Sequence, residues 1–129
     1  MRKHTMSLAL IVLLVLAGVL VTAGAAAPVI KMLKTPKLIS PRDGSVFDYY
    51  PRTLTLEWGE VKGAVRYQVD REALIDGEWK PYLPIETTNT RFTFDFVGAQ
   101  PGRWRVTAVG PDPLRNSFPS RWNTFTFIQ

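Results

Sequence analysis

Cysteine is absent from all 129 residues, and histidine occurs once, at position 4. Without Cys no disulfide braces the chain, no thiolate serves as nucleophile, and no lipid attaches at an N-terminal cysteine. A zinc site lacks the first of its favoured ligand types entirely and the second almost entirely. One-sided charge is also scarce. The excess is +5 over the whole chain, with no basic block of the kind that tracks a nucleic-acid backbone, so no nucleic-acid partner is expected. No Asn-x-Ser/Thr acceptor is present, because Asn89, Asn116 and Asn123 each lack a hydroxyl residue two positions on. After Ala27 no segment keeps helical periodicity over three turns, and no internal repeat is visible.

What is present begins with an apolar run. Arg2 and Lys3 precede it, Met6 to Ala27 carries no charge, and it closes on Ala23-Gly24-Ala25-Ala26-Ala27. A basic start, an aliphatic stretch and small residues at the end are the pattern of a secretory signal, with cleavage after Ala25 or Ala27. The competing reading is a retained anchor, since roughly 20 apolar residues span a bilayer. Residues 1–27 are therefore expected to be a signal peptide or membrane anchor, 28–36 a linker, and 37–129 one domain. The chain is expected to be secreted, periplasmic or cell-surface, touching membrane only through an uncleaved N-terminal segment. Cleavage would remove Arg2, Lys3 and His4, taking the formal charge from +5 to +3 and leaving no imidazole for acid–base work.

The remaining 100 or so residues alternate with period two between Gly and Pro breaks. Leu54, Leu56 and Trp58 share one face of Thr53–Trp58, and Val65, Tyr67 and Val69 share one face of the next segment. Asp76-Gly77 is a hairpin turn leading to a short strand near Glu78–Leu83. Phe92, Phe94 and Phe96 fall together, as do Trp104, Val106 and Ala108, and then Phe125 and Phe127. With Lys37–Ser40 this makes seven short strands, each apolar on one side. Such strands bury that side against a second sheet, which predicts an all-β, seven-stranded antiparallel sandwich with these residues as its core.

The order of these motifs resembles the fibronectin type III and related immunoglobulin-like domains of bacterial exported proteins. The resemblance is carried by Leu38-Ile39-Ser40-Pro41-Arg42-Asp43-Gly44, by Leu54-x-Leu56-x-Trp58, and by Val61-x-Gly63-Ala64-x-x-Tyr67-x-Val69. Pro101-Gly102-x-Trp104-Arg105-Val106-x-Ala108 and Ser120-x-Trp122-x-x-Phe125-x-Phe127 complete it, so that it spans Pro36 to Ile128. It implies the sandwich fold and says little about activity, because such sandwiches host many unrelated functions. One departure stands out. Many relatives carry a Tyr near the start of the sixth strand that bonds back to the preceding corner, and here Trp104 takes that place. An indole N–H donates but does not accept, so the corner is expected to be built differently.

No catalytic, metal or cofactor site is expected. Carboxylates such as Glu57, Asp70, Glu78 and Asp95 fall at outward strand positions or turns, and Asp43 and Asp48 lack the dense spacing of a calcium loop. Asp43 is expected to tighten its own turn. Three candidate binding surfaces remain, for a protein or surface-glycan partner. Tyr49, Tyr50, Trp79 and Tyr82 lie at loops or strand ends and offer an aromatic platform. Arg66, Arg103 and Arg105 form a basic strip, for which cross-strand pairing of Arg66 or Arg105 with Asp70 is the plainer account. The loop from Gly110 to Arg121 presents Leu114, Arg115, Asn116 and Phe118, and loops on a rigid scaffold are where recognition resides. The functional expectation is an exported, non-catalytic binding or structural module, and the alternative is a carbohydrate-binding or glycan-active protein.

Overall fold

The computed structural model describes residues 29–129; the signal or anchor segment expected at 1–27 lies outside the described residues. Alternating residues of short strands build two facing sheets. One holds β1 (Leu38–Ser40), β3 (Thr53–Trp58) and β7 (Arg91–Asp95), in the order β1-β3-β7. The other runs β2 (Ser45–Phe47), β9 (Asn123–Phe127), β8 (Pro101–Val109), β4 (Arg66–Ile75) and β5 (Glu78–Pro81), with β6 (Ile85–Thr87) also paired to β4.

Seven strands were expected, and nine are found among the described residues, for two local reasons. The first strand divides at Ser40–Gly44. Pro41 is buried and has no N–H to donate, so pairing with β3 stops there, and Gly44 at φ +81° turns the chain onto β9. The β2–β9 pair is parallel, the exception in an otherwise antiparallel ladder. The edge strand beside β4 is interrupted in the same way, because Pro81 and Pro84 bracket Tyr82 and Leu83 between β5 and β6. The alternation predicts the β4 strand over Val65–Arg71, and β4 runs on to Ile75. Its hairpin to β5 turns at Asp76 (φ 52°) and Gly77 (φ 77°), the pair of positive angles that an Asp-Gly turn supplies.

The core is the expected one except at Val65, which precedes β4 and is 47% exposed, and along β7. Leu54, Leu56, Trp58, Tyr67, Val69, Phe96, Trp104, Val106, Ala108, Phe125 and Phe127 are buried, joined by Val61 and Ala73. Phe92 and Phe94 are only half buried, because β7 is the outer strand of its sheet. Phe96 and Phe125 meet edge to face at 4.9 Å. That contact needs Gly102, where an added Cβ would stand 2.4 Å from the Phe125 ring and 2.8 Å from Phe96.

The corner before β8 is closed from elsewhere. Tyr82, between β5 and β6, accepts the Val97 N–H at 3.2 Å through its hydroxyl. Trp104 stays wholly buried, its indole N–H without a protein partner. A tyrosine holds the corner after all, but it is contributed by the segment between β5 and β6 on the facing sheet.

The compact unit begins at Lys31, inside the stretch expected to be a linker. Leu33 donates its N–H to the Arg115 carbonyl at 2.8 Å and packs on the core, and Pro36 is buried. Residues 31–36 are thus part of the sandwich, docked against its β3–β4 end.

Candidate functional site

Period-two geometry sends residues 66, 68, 70 and 72 of β4 outward, opposite 109, 107, 105 and 103 of β8. This face carries a continuous stack. The Arg103 guanidinium lies 4.3 Å from the Trp79 ring and 4.3 Å from the Trp122 ring, and Arg105 lies 4.3 Å from Trp122. Arg103 and Arg105 are two residues apart on one strand, about 7 Å, which is the room one ring and its two contacts need. Trp122 therefore sits between the two guanidinium groups, and the order along the face is Trp79, Arg103, Trp122, Arg105.

A carboxylate backs each cation. Arg103 Nε donates to Glu72 Oε1 at 2.8 Å, and Arg105 Nε donates to Asp70 Oδ2 at 3.0 Å. Gln68 Nε2 also donates to Asp70, at 3.1 Å. Arg66 pairs with Glu86 at 2.7 Å rather than with Asp70, because β6 lies on that side of β4. The basic strip is thus a row of ion pairs, in which Arg103 also meets two rings and Arg105 one.

The four residues of the aromatic platform take four separate settings. Trp79 belongs to the stack just described. Tyr82 turns inward, its ring 4.8 Å from the Arg71 guanidinium and edge-on to Phe94 at 5.8 Å. Tyr49 packs against Phe47 and Phe127 at 5.7 and 5.3 Å and donates its hydroxyl to the Thr53 carbonyl at 2.9 Å. Tyr50 is 73% exposed, with Arg52 over its ring at 5.3 Å. Burial raises the phenol pKa of both Tyr49 and Tyr82 above the ordinary value.

The candidate loop is stitched to β8 for much of its length. Ser117 and Ser120 accept the N–H groups of Ala108 and Val106 through their hydroxyls at 2.9 and 3.0 Å, and their own N–H groups return bonds to the same residues. A short 3₁₀ turn at Pro113–Arg115 is capped by Asp112, and Asn116 turns in to accept the Gly110 N–H at 3.0 Å. Arg115 pairs with Asp112 at 3.3 Å. Leu114 and Phe118 project, 68% and 70% exposed.

Asp43 does not close its own turn; Ser45 does, by donating to the Arg42 carbonyl. Asp43 Oδ1 instead accepts from the Thr124 N–H and hydroxyl at 2.7 and 2.9 Å, which ties the turn to β9 and holds its carboxyl below the usual carboxylate range. Asp48 accepts from the Gln129 amide at 2.8 Å.

Two groups escaped the sequence reading. Trp122 enters the sequence reading only within the last-strand motif, and its place in the stack depends on which sheet position it meets, which an Arg-x-Arg pair alone does not reveal. Arg71 had a plain signal: it continues the inward parity of Tyr67 and Val69. It is 8% exposed, and Phe92, Phe94 and Tyr82 surround its guanidinium at 5.0, 4.8 and 4.8 Å. Its one hydrogen bond goes from Nη2 to the Leu83 carbonyl at 3.0 Å, and Nε has no partner. Burial lowers its pKa from the ordinary arginine value.

No protein-family model matches the chain, and no curated protein matches it in sequence. Solved structures do. The chain is similar to the fn3 domain of human collagen alpha-1(XX) at TM-score 0.56 and 16% identity, over 81% of this chain and 94% of that one. An Fn3-like protein from Clostridium thermocellum is similar at TM-score 0.49 and 20% identity, over 81% of this chain and 97% of that one. The sandwich accordingly has a fibronectin type III-like fold, as its motif order implies.

Proposed function

We propose that the chain is an exported, non-catalytic contact module whose outward β8–β4 face docks a protein partner outside the cytoplasm. The observation that carries this reading is the stack of Trp79, Arg103, Trp122 and Arg105 with Glu72 and Asp70 behind it. Trp and Arg dominate protein-contact hot spots because they bring large area with directional donors. Here their rotamers are fixed before any partner arrives, so docking loses less side-chain entropy. The same stack argues against sugar capture. A pyranose needs an open ring face, and guanidinium groups already lie 4.3 Å from the ring centroids of both Trp122 and Trp79.

Catalysis finds little support. Glu57, Asp70, Glu72, Glu78, Glu86 and Asp112 are all in ion pairs with arginine or lysine. Asp43 is displaced in the direction opposite to that of a general acid. The apolar start of the chain supports export, and the same segment, if kept, supports display from a membrane.

The test uses the full chain in its own cell envelope with a photo-crosslinking residue at Thr107, beside the stack, or at Thr55, on the other sheet. A protein adduct is expected from position 107, absent from position 55, and lost when Trp79 and Trp122 are both changed to Ala. Equal adducts from both positions, or competition of the adduct by wall polysaccharide, would sink the reading.

A further inference from the structure

Strand β7 reads Arg91-Phe92-Thr93-Phe94-Asp95, and among the described strands it has β3 on one side and none on the other. Its backbone groups are already divided between those sides. The Thr90 carbonyl accepts from the Trp58 N–H at 3.1 Å, and the Phe96 N–H donates to the Arg52 carbonyl at 2.8 Å. Because amide directions alternate along a strand, residues 90, 92, 94 and 96 spend theirs on β3. Arg91, Thr93 and Asp95 aim theirs at the open edge, and all three residues are exposed.

Natural edges of this kind are blunted with charged side chains, lysine above all, or with proline. The neighbouring edge of the facing sheet follows that rule, with Lys80, Pro81 and Pro84 along β5 and β6. From Ile85 to Gln100 the sequence contains neither lysine nor proline. What it contains instead is complementarity with itself. Laid antiparallel about Thr93, Arg91 of one copy faces Asp95 of the other, Phe92 faces Phe94, and Thr93 faces its own equivalent.

We propose that two copies of this chain pair edge to edge through β7, in antiparallel register centred on Thr93, joining two three-stranded sheets into one of six strands. In this register the residues with free amides are the ones that meet, so each of the three pairs exchanges two backbone bonds. The charges extend contacts already made. Arg91 lies 3.2 Å from Glu57 within its own chain and gains Asp95 of the second copy on its other side. Asp95 accepts from the Thr53 hydroxyl at 2.7 Å and gains Arg91. The half-buried rings of Phe92 and Phe94 are covered by their counterparts. A slip of two residues sets Arg91 opposite Thr93 and loses the ion pairs, so the sequence specifies the register. One strand pair is less than the roughly 1,600 Å² of a standard interface, so the dimer is weak in dilute solution and forms where copies are crowded.

The absence of cysteine supplies the experiment. Thr93→Cys in the full chain places two thiols across the two-fold axis, at Cα separations of about 5.5 Å that a disulfide bridges. Mild oxidation is expected to yield at least about fivefold more covalent homodimer than the Thr55→Cys control, whose position is on the neighbouring strand. Adding Arg91→Asp or Asp95→Arg alone sets like charges opposite each other and is expected to lower that yield at least about fivefold. Both changes together restore it. Homodimer yield equal to the control, a double change that fails to restore it, or trapping of a different envelope protein at position 93 would each overturn the proposal. A second measurement needs no substitution. In the native chain, amide exchange at Thr93 is expected to slow as concentration rises toward about 1 mM while that at Phe92 stays constant. Indifference of Thr93 to concentration overturns the proposal as well.

Discussion

Arginine meets aromatic rings on both sides of β4, and the two sides treat it differently. Outside, Arg103 and Arg105 are stacked on Trp79 and Trp122, and each also has a carboxylate. Inside, Arg71 is enclosed by Tyr82, Phe92 and Phe94 with one carbonyl and no acid. The outer arrangement is electrically complete, and the inner one is not. A buried cation without a counter-charge costs free energy in desolvation, and ring faces return part of it. The difference implies that Arg71 stays because its long side chain fills and props the open side of the sandwich, while Arg103 and Arg105 stay because they hold a surface in shape.

Changing Arg71 tests that distinction most strongly. Arg71→Ala removes the stem as well as the charge and is expected to cost about 2–4 kcal/mol, by analogy with truncating a long buried side chain. In thermal unfolding that is a Tm drop of more than about 10 °C for a domain of this size. Arg71→Met keeps most of the volume and discards the uncompensated charge, so its stability should fall within about 1 kcal/mol of the native chain or rise above it. If Met is as damaging as Ala, the charge itself holds the seam and the contrast drawn here collapses.

Trp122→Ala is the matching change outside. It empties the space between Arg103 and Arg105 and leaves two like charges facing each other, with an expected cost of about 1–3 kcal/mol. Arg71→Ala should weaken the packing of Phe92 and Phe94, whereas Trp122→Ala should leave those rings undisturbed. Side-chain NMR shifts of the two phenylalanines separate the outcomes.

The fold was largely legible before any coordinates, because each strand's apolar face declares itself by parity and the Asp76-Gly77 turn requires a hairpin. The inner arginine was legible by the same rule, since residue 71 shares parity with 67 and 69. The outer stack was not legible to the same degree. Arg103-x-Arg105 announces one face, but Trp79 reaches it from β5 and Trp122 from the residue before β9, and cross-strand register is not written locally. Nor was the corner. Tyr82 reaches Val97 only because Pro81 and Pro84 break the edge strand and let the ring turn inward.

That tyrosine gives the next smaller effect and a pH signature. Tyr82→Phe keeps the ring beside Arg71 but removes the acceptor for the Val97 N–H, with an expected cost of about 0.5–1 kcal/mol at pH 7. Burial raises the Tyr82 pKa above 10.0, offset in part by the Val97 N–H and by Arg71. The folded state therefore favours the neutral phenol. Its contribution is complete below pH 10 and is lost as pH rises from there through the folded pKa. Tyr49 behaves in the same direction. Urea midpoints measured across the alkaline range should fall less steeply in Tyr82→Phe than in the native chain, with Tyr49 supplying what remains. An unchanged slope would mean that the hydroxyl is not enclosed as described.

The smallest effect is expected at Glu72. Glu72→Gln removes the carboxylate behind Arg103, a part-exposed pair worth about 0.5–1 kcal/mol, and higher salt should shrink the difference. Arg103 should keep its place, because Trp79 and Trp122 still hold the guanidinium from either side. The informative quantity is the coupling between the two supports. Once Trp122 is Ala, Arg103 depends far more on Glu72, so the same Glu72→Gln change should cost more in that background than in the native one, giving an interaction energy of at least about 0.5 kcal/mol. Strict additivity would mean that the ring and the carboxylate act on Arg103 independently. The outer face would then be a row of separate contacts and not one preassembled surface.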